Sequence, residues 1–174
     1  MAYAPVGAAH MESVGRSGAA MMARDRDDRD AQALAARQGG VVAYFDESAL
    51  DDDLARLRAE GCVLYEFHAW GWLHMGAFHD EMASVFGLPD DYGRNLDALM
   101  DCLRDVEAPL EGGMAVVVRG VEAVYPELSF ALHVFELLAD RARASRLRGR
   151  RLLVLLHSND PSIDLTSLCN PEGP

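Results

Sequence analysis

An α/β domain on a small parallel sheet of about three strands is the fold class this sequence predicts, and three observations predict it. Two apolar runs, Met114-Ala115-Val116-Val117-Val118 and Leu152-Leu153-Val154-Leu155-Leu156, contain no polar residue, the pattern of strands covered on both faces. Segments with a helical apolar stripe separate the candidate strands, and that alternation gives parallel strands joined by crossover helices. At 174 residues, half of them apolar, and with a mean hydropathy of −0.04, the chain can bury one ordinary core with appendages.

The elements follow in order. Residues 1–38 predict a disordered N-terminal tail: Met1 to Met22 is rich in Ala, Gly and Met, and Arg24 to Asp30 is a run of mixed charge. Such composition buries too little apolar surface to offset the entropy of ordering it. Met11, Met21 and Met22 leave the true start codon open. The globular pattern, 39–158, begins with a strand at Val41 to Phe45 and a helix from Glu47 to Glu60 that turns Leu50, Leu54 and Leu57 inward, with Gly61 as its stop. Cys62 to Phe67 reads as a strand and His74 to Phe86 as a helix with Phe78, Met82, Val85 and Phe86 inward, ended by Gly87 and Pro89. Pro126 fits the first position of a long helix running to about Ser145. Arg141 to Arg151 reads as a solvated helix end and loop, and the Pro/Ser/Asn-rich 159–174 as a flexible C-terminal tail.

Several function classes fall away. A net charge of −12 disfavours direct nucleic-acid binding, which needs clustered Lys and Arg, and suits a basic protein partner or simply a soluble surface. No apolar run has the roughly 18 residues of a membrane span, and no cationic segment leads into an apolar stretch as in a signal peptide, so the expected compartment is the cytoplasm. Cys62, Cys102 and Cys169 lack metal-ligand spacing, and Cys102 is most simply a small core residue. His68, His74 and His79 do not share a helical face and are expected as scattered surface or loop histidines. No serine sits in a nucleophile elbow, and Gly112-Gly113 precedes a strand, so it reads as a turn rather than a phosphate cradle. Trp70 and Trp72 flank Gly71 in a turn where packing over the sheet edge is the simpler role. No cofactor, metal or catalytic constellation is expected.

The segment Leu88 to Leu103 carries the most information. A Pro/Gly-punctuated loop runs directly into a short helix whose apolar stripe is Leu96, Leu99, Met100 and Leu103. Asp97 and Asp101 stack four apart on another face, with Asp105 one turn further. Like charges at that spacing cost an isolated helix a few tenths of a kcal/mol. Asn95 as N-cap and the helix dipole account for Asp97, and solubility for the others; presentation to a basic partner is the alternative.

The wording of this segment decides between them. Leu88-Pro89, Tyr92-Gly93-Arg94-Asn95 and Leu96-Asp97-Ala98-Leu99-Met100-Asp101-Cys102-Leu103 closely resemble the loop-helix of the barstar family of intracellular ribonuclease inhibitors. The resemblance extends over Cys62 to His157, a little over half of the chain, and implies the barstar fold there. The strand and helix over 41–60 stand outside it as candidates to extend one sheet edge. It also implies a 1:1 complex with a basic ribonuclease, whose active-site cations Asp97 and Asp101 would meet. Gly93, Asn95 and Leu96 match the neighbouring contacts of the loop, and Asp91, Tyr92 and Met100 complete the expected partner-binding set. Two of these depart from the family: Asp91 stands where an aromatic is common, and Met100 where a Trp is. A further acidic contact on the later helix has no counterpart at Leu137, and Glu136 and Asp140 lie on other faces. The alternatives are a barstar-fold scaffold or regulator that binds a non-nuclease protein, and, more remotely, a hydrolase using the histidines.

Overall fold

The computed structural model describes residues 40–124 and 129–165. Strands β1 (Gly40–Tyr44), β2 (Val63–His68), β3 (Met114–Arg119) and β4 (Leu152–His157) alternate with helices α1 (Glu47–Ala59), α2 (Met75–Phe86), α3 (Leu96–Asp105) and α4 (Ser129–Leu147). All strand pairs are parallel, and the order across the sheet is β1-β4-β3-β2. The predicted parallel α/β architecture is therefore found, with four strands rather than about three. The fourth is the N-terminal addition, which pairs with β4 from Gly40 opposite Leu153 to Tyr44 opposite His157.

Side-chain alternation along the two central strands divides the core. Met114, Val116, Val118, Leu152, Val154 and Leu156 face a cluster formed with Phe78 and Met82 of α2, Leu99 and Leu103 of α3, and Val134, Phe135 and Leu138 of α4. Ala115, Val117, Leu153 and Leu155 face the other way, against Leu50, Leu54 and Leu57 of α1 and Val42 and Tyr44 of β1. Both faces are covered, which is why β3 and β4 read as unbroken apolar runs. The apolar triad of α1 is buried as its spacing predicts.

The ends of α1 are fixed locally. Asp46 caps its start, accepting from the Ser48 amide at 2.9 Å. At its end Gly61 takes φ +79°, its amide donates to the Arg58 carbonyl at 3.0 Å, and the Cys62 amide to the Leu57 carbonyl at 2.9 Å. That left-handed cap satisfies two orphan carbonyls and turns the chain into β2. Tyr44 Oη donates to Asp53 at 2.7 Å, tying α1 to β1. Arg119, at the end of β3, reaches Glu47 at 3.2 Å, Asp51 at 2.5 Å and Glu66 at 3.7 Å, so α1 is held to the sheet electrostatically as well as by packing.

A 3-10 turn over Ala69–Gly71 follows β2, where a turn was expected; Trp72 beyond it is buried, its indole donating to Glu81, and Trp70 is about half exposed. Two segments differ from expectation. Residues 159–165, expected as part of a loose tail, are tethered. The Asn159 side chain donates to Glu122 at 3.1 Å, and Ile163 and Leu165 join the core cluster. Their spacing of two was too short to register as a pattern. The Arg-rich segment is only partly solvated, because Arg150 donates to the Ala108 carbonyl at 2.6 Å and Arg151 to Glu60 at 2.7 Å. The N-terminal tail, the helix start at Pro126 and residues 166–174 lie outside the described residues.

A chain started at Cys62 lacks β1 and α1, baring Ala115, Val117, Leu153, Leu155 and the outer edge of β4. It should aggregate or lose its cooperative melt, because an exposed apolar face beside an open strand edge is an association site. Solubility and a far-UV thermal melt beside the full chain check this. A soluble fragment with a sharp transition would show that the added unit is an ornament.

Candidate functional site

The loop from Gly87 to Asn95 is built to deliver α3 in one position. Gly87 ends α2 at φ +64°, and the Leu88 amide donates to the Ala83 carbonyl at 2.9 Å. The Tyr92 amide donates to the Pro89 carbonyl at 2.9 Å, closing a turn. Asn95 is the N-cap of α3: its Oδ1 accepts from the Ala98 amide at 2.9 Å while its Nδ2 donates to the Gly93 carbonyl at 3.1 Å. One side chain thus fixes both the helix start and the strand of loop before it.

Two further tethers run to α2. Tyr92 is turned inward, where its hydroxyl lies 2.5 Å from Nδ1 of His79. Arg94 has φ +49°, a conformation that costs a non-glycine residue on the order of 1 kcal/mol. Its guanidinium pairs with Asp80 and also reaches the Gly76 carbonyl at 3.5 Å, so the strained residue is pinned from its far end. Residues 14 and 18 positions upstream are joined to the loop this way.

His79 corrects the expectation of surface histidines. His68 and His74 are exposed, the latter capping α2 by accepting from the Ala77 amide at 3.1 Å. His79 is only 1% exposed and lies in the core. Burial, then the nearby Arg94 cation, push its pKa below the usual 6.5, against a smaller opposing pull from Asp80. Burial pushes the Tyr92 phenol up to about 12. A neutral ring hydrogen-bonded to an un-ionised hydroxyl fits both shifts, and its Nε2 has no hydrogen-bond partner among the described residues.

On this frame α3 divides cleanly. Leu99 and Leu103 are buried, Leu96, Met100 and Cys102 half-buried, and Asp97, Asp101 and Asp105 exposed. Asp91, Gly93 and Asn95 are exposed on the adjoining loop. Four residues of helix set Asp97 and Asp101 about 6 Å apart along the axis. Asp97 forms no ion pair among the described residues, whereas Asp101 pairs with Arg104 on its own helix. Arg141 of α4 caps the other end of α3, donating to the Val106 carbonyl at 2.9 Å and reaching that of Arg104 at 3.4 Å.

The residues predicted to meet a partner are at least partly exposed, with one exception. Tyr92 faces the core and anchors the loop instead of presenting itself, because its hydroxyl finds its partner in His79. Cys102, expected in the core, is half-buried beside it. The positioning residues Arg94, Asp80, His79 and Arg141 escaped the sequence, since no periodic signal links them. Arg104 did carry one, the i,i+3 spacing to Asp101. No group of three or more His, Cys, Asp or Glu among the described residues could hold a metal ion, and none of their helices is long and apolar enough to cross a membrane.

The folded protein binds a proton at His79 less readily than the unfolded chain does. As pH drops through 6.5 the unfolded ring protonates first, so stability falls over that range and levels off only below the folded pKa. Chemical denaturation between pH 8 and pH 5 should show this decline. The double variant His79→Leu/Tyr92→Phe removes both polar partners together, and its decline should be shallower. Parallel profiles for the two proteins would show that His79 takes no part.

Residues 64–157 match the family described as Barstar (barnase inhibitor). No curated protein matches the chain.

Proposed function

The chain belongs to the barstar family, and on that premise we propose that it inhibits a basic ribonuclease in a 1:1 complex by docking the face of Asp97 and Asp101 into the enzyme's active site. The observation that carries this reading is the presentation of two exposed carboxylates four residues apart on a short, capped and tethered helix. Members of this family are inhibitors rather than enzymes, and a ribonuclease is their partner in general.

The physics supports the reading. An enzyme that cleaves RNA holds cations around the position of a phosphate, and a rigid pair of carboxylates can occupy that position in its place. Burying such charges is unfavourable unless each meets a hydrogen-bonding cation, so the complex forms only where the cations match. Asn95, the Tyr92 anchor and the Arg94 tether reduce the freedom left to lose on docking, which favours affinity. Asp91, Gly93 and Leu96 border the carboxylates and would form the rim of the contact, with Met100 supplying a flexible apolar patch. A cytoplasmic antitoxin, protecting its producer from such a nuclease, is the role this reading gives the protein.

Three variants test it. Asp97→Ala and Asp101→Ala should each weaken inhibition of barnase by about 2–5 kcal/mol, because each strands a buried cation on the enzyme. That magnitude is taken from measurements on the barnase–barstar pair itself, among others, and is not specific to this chain. Their folding stability should fall only by tenths of a kcal/mol, through the helix dipole for Asp97 and the exposed Arg104 pair for Asp101. Asp105→Ala, one turn beyond, should be near neutral for both. Inhibition titrations beside thermal melts separate the two effects. Full inhibition by Asp101→Ala would remove the site from α3.

A further inference from the structure

Positions 97, 101 and 104 fall within two helical turns on one face, so Arg104 shares the surface of the two aspartates. Its guanidinium pairs with the Asp101 carboxylate, and both side chains stay open to solvent, at 65% and 70% exposure. Arg141 of α4 binds the backbone carbonyls of Arg104 and Val106, which fixes the helix turn that carries Arg104. Asp97 has no such companion among the described residues. One carboxylate of the pair is open and the other is guarded.

We propose that Arg104 is an internal competitor for the partner's cation and thereby sets the affinity and selectivity of the Asp101 contact; this rests on the docking face proposed above. An exposed i,i+3 pair is worth less than about 1 kcal/mol, so a partner can displace it. The exchange favours a guanidinium that meets the carboxylate with two hydrogen bonds in a water-poor interface. A lone surface lysine, hydrated and offering a point charge, gains little over the arginine already there. Encounter then begins at the open Asp97 and is completed by exchange at Asp101. Weakly basic proteins are held off by the arginine that the correct partner replaces.

The experiment is binding to barnase at fixed ionic strength for Arg104→Gln, Arg143→Gln, Asp101→Asn and the double variant Arg104→Gln/Asp101→Asn. Arg143 is the matched control: it makes the same i,i+3 pair, with Asp140, on α4, and its removal changes the net charge equally. Arg104→Gln should tighten binding about two- to fivefold, the range of an exposed pair, and Arg143→Gln distinctly less. In the Asp101→Asn background the Arg104 substitution should add nothing beyond the effect of the control. Unchanged or weaker binding by Arg104→Gln, or an equal gain from Arg143→Gln, overturns the competitor while leaving the docking face intact if Asp101→Asn still weakens the complex. Binding by Asp101→Asn equal to that of the wild type overturns both.

Discussion

The tether between the loop and α2 is the interaction on which the acidic face depends. A helix of ten residues with carboxylates at successive turns is marginal by itself. It stands because Asn95 caps one end, Arg141 closes the other, and Tyr92 and Arg94 fasten the approach to His79 and Asp80. Leu99 and Leu103 then seal its inner face against the sheet. The strained backbone at Arg94 fits this account, since a conformation that disfavours itself persists only where its surroundings hold it. The fastening residues lie on α2, so α2 and α3 behave as one support for the charged surface.

Beneath that support the sheet supplies rigidity of another kind. β3 and β4 are buried on both faces and flanked on both sides, and their side chains alternate between two clusters. The β1–α1 unit lies outside the residues that match the family, 64–157, yet it closes the second cluster. Helix α3 and this addition therefore pack on opposite sides of the sheet. The addition can contribute to stability without touching the proposed docking surface.

Much of this was legible in the sequence, for identifiable reasons. Unbroken apolar runs disclosed β3 and β4, the 3.6 period disclosed the inner faces of α1 and α3, and Gly61 marked a helix end that the structure places there. The acidic pair was visible because four residues of helix return to the same side. The unread parts are contacts between residues far apart in the chain or without periodicity. The orientation of Tyr92 depends on a histidine thirteen positions earlier, and the burial of that histidine on tertiary contact. Ile163 and Leu165 sit in a segment whose Pro, Ser and Asp content resembles a loop, and only tertiary contact shows that it is anchored.

Docking of the α3 carboxylates on a basic ribonuclease, as proposed, has a kinetic signature. Stopped-flow association of the chain with barnase across a salt series tests it most directly. Attraction between unlike surfaces is screened beyond about 10 Å at 0.1 M salt. The association rate should fall steeply as ionic strength rises, with dissociation changing far less. An association rate indifferent to salt would contradict this docking, because the acidic face would then not be the surface that meets the enzyme.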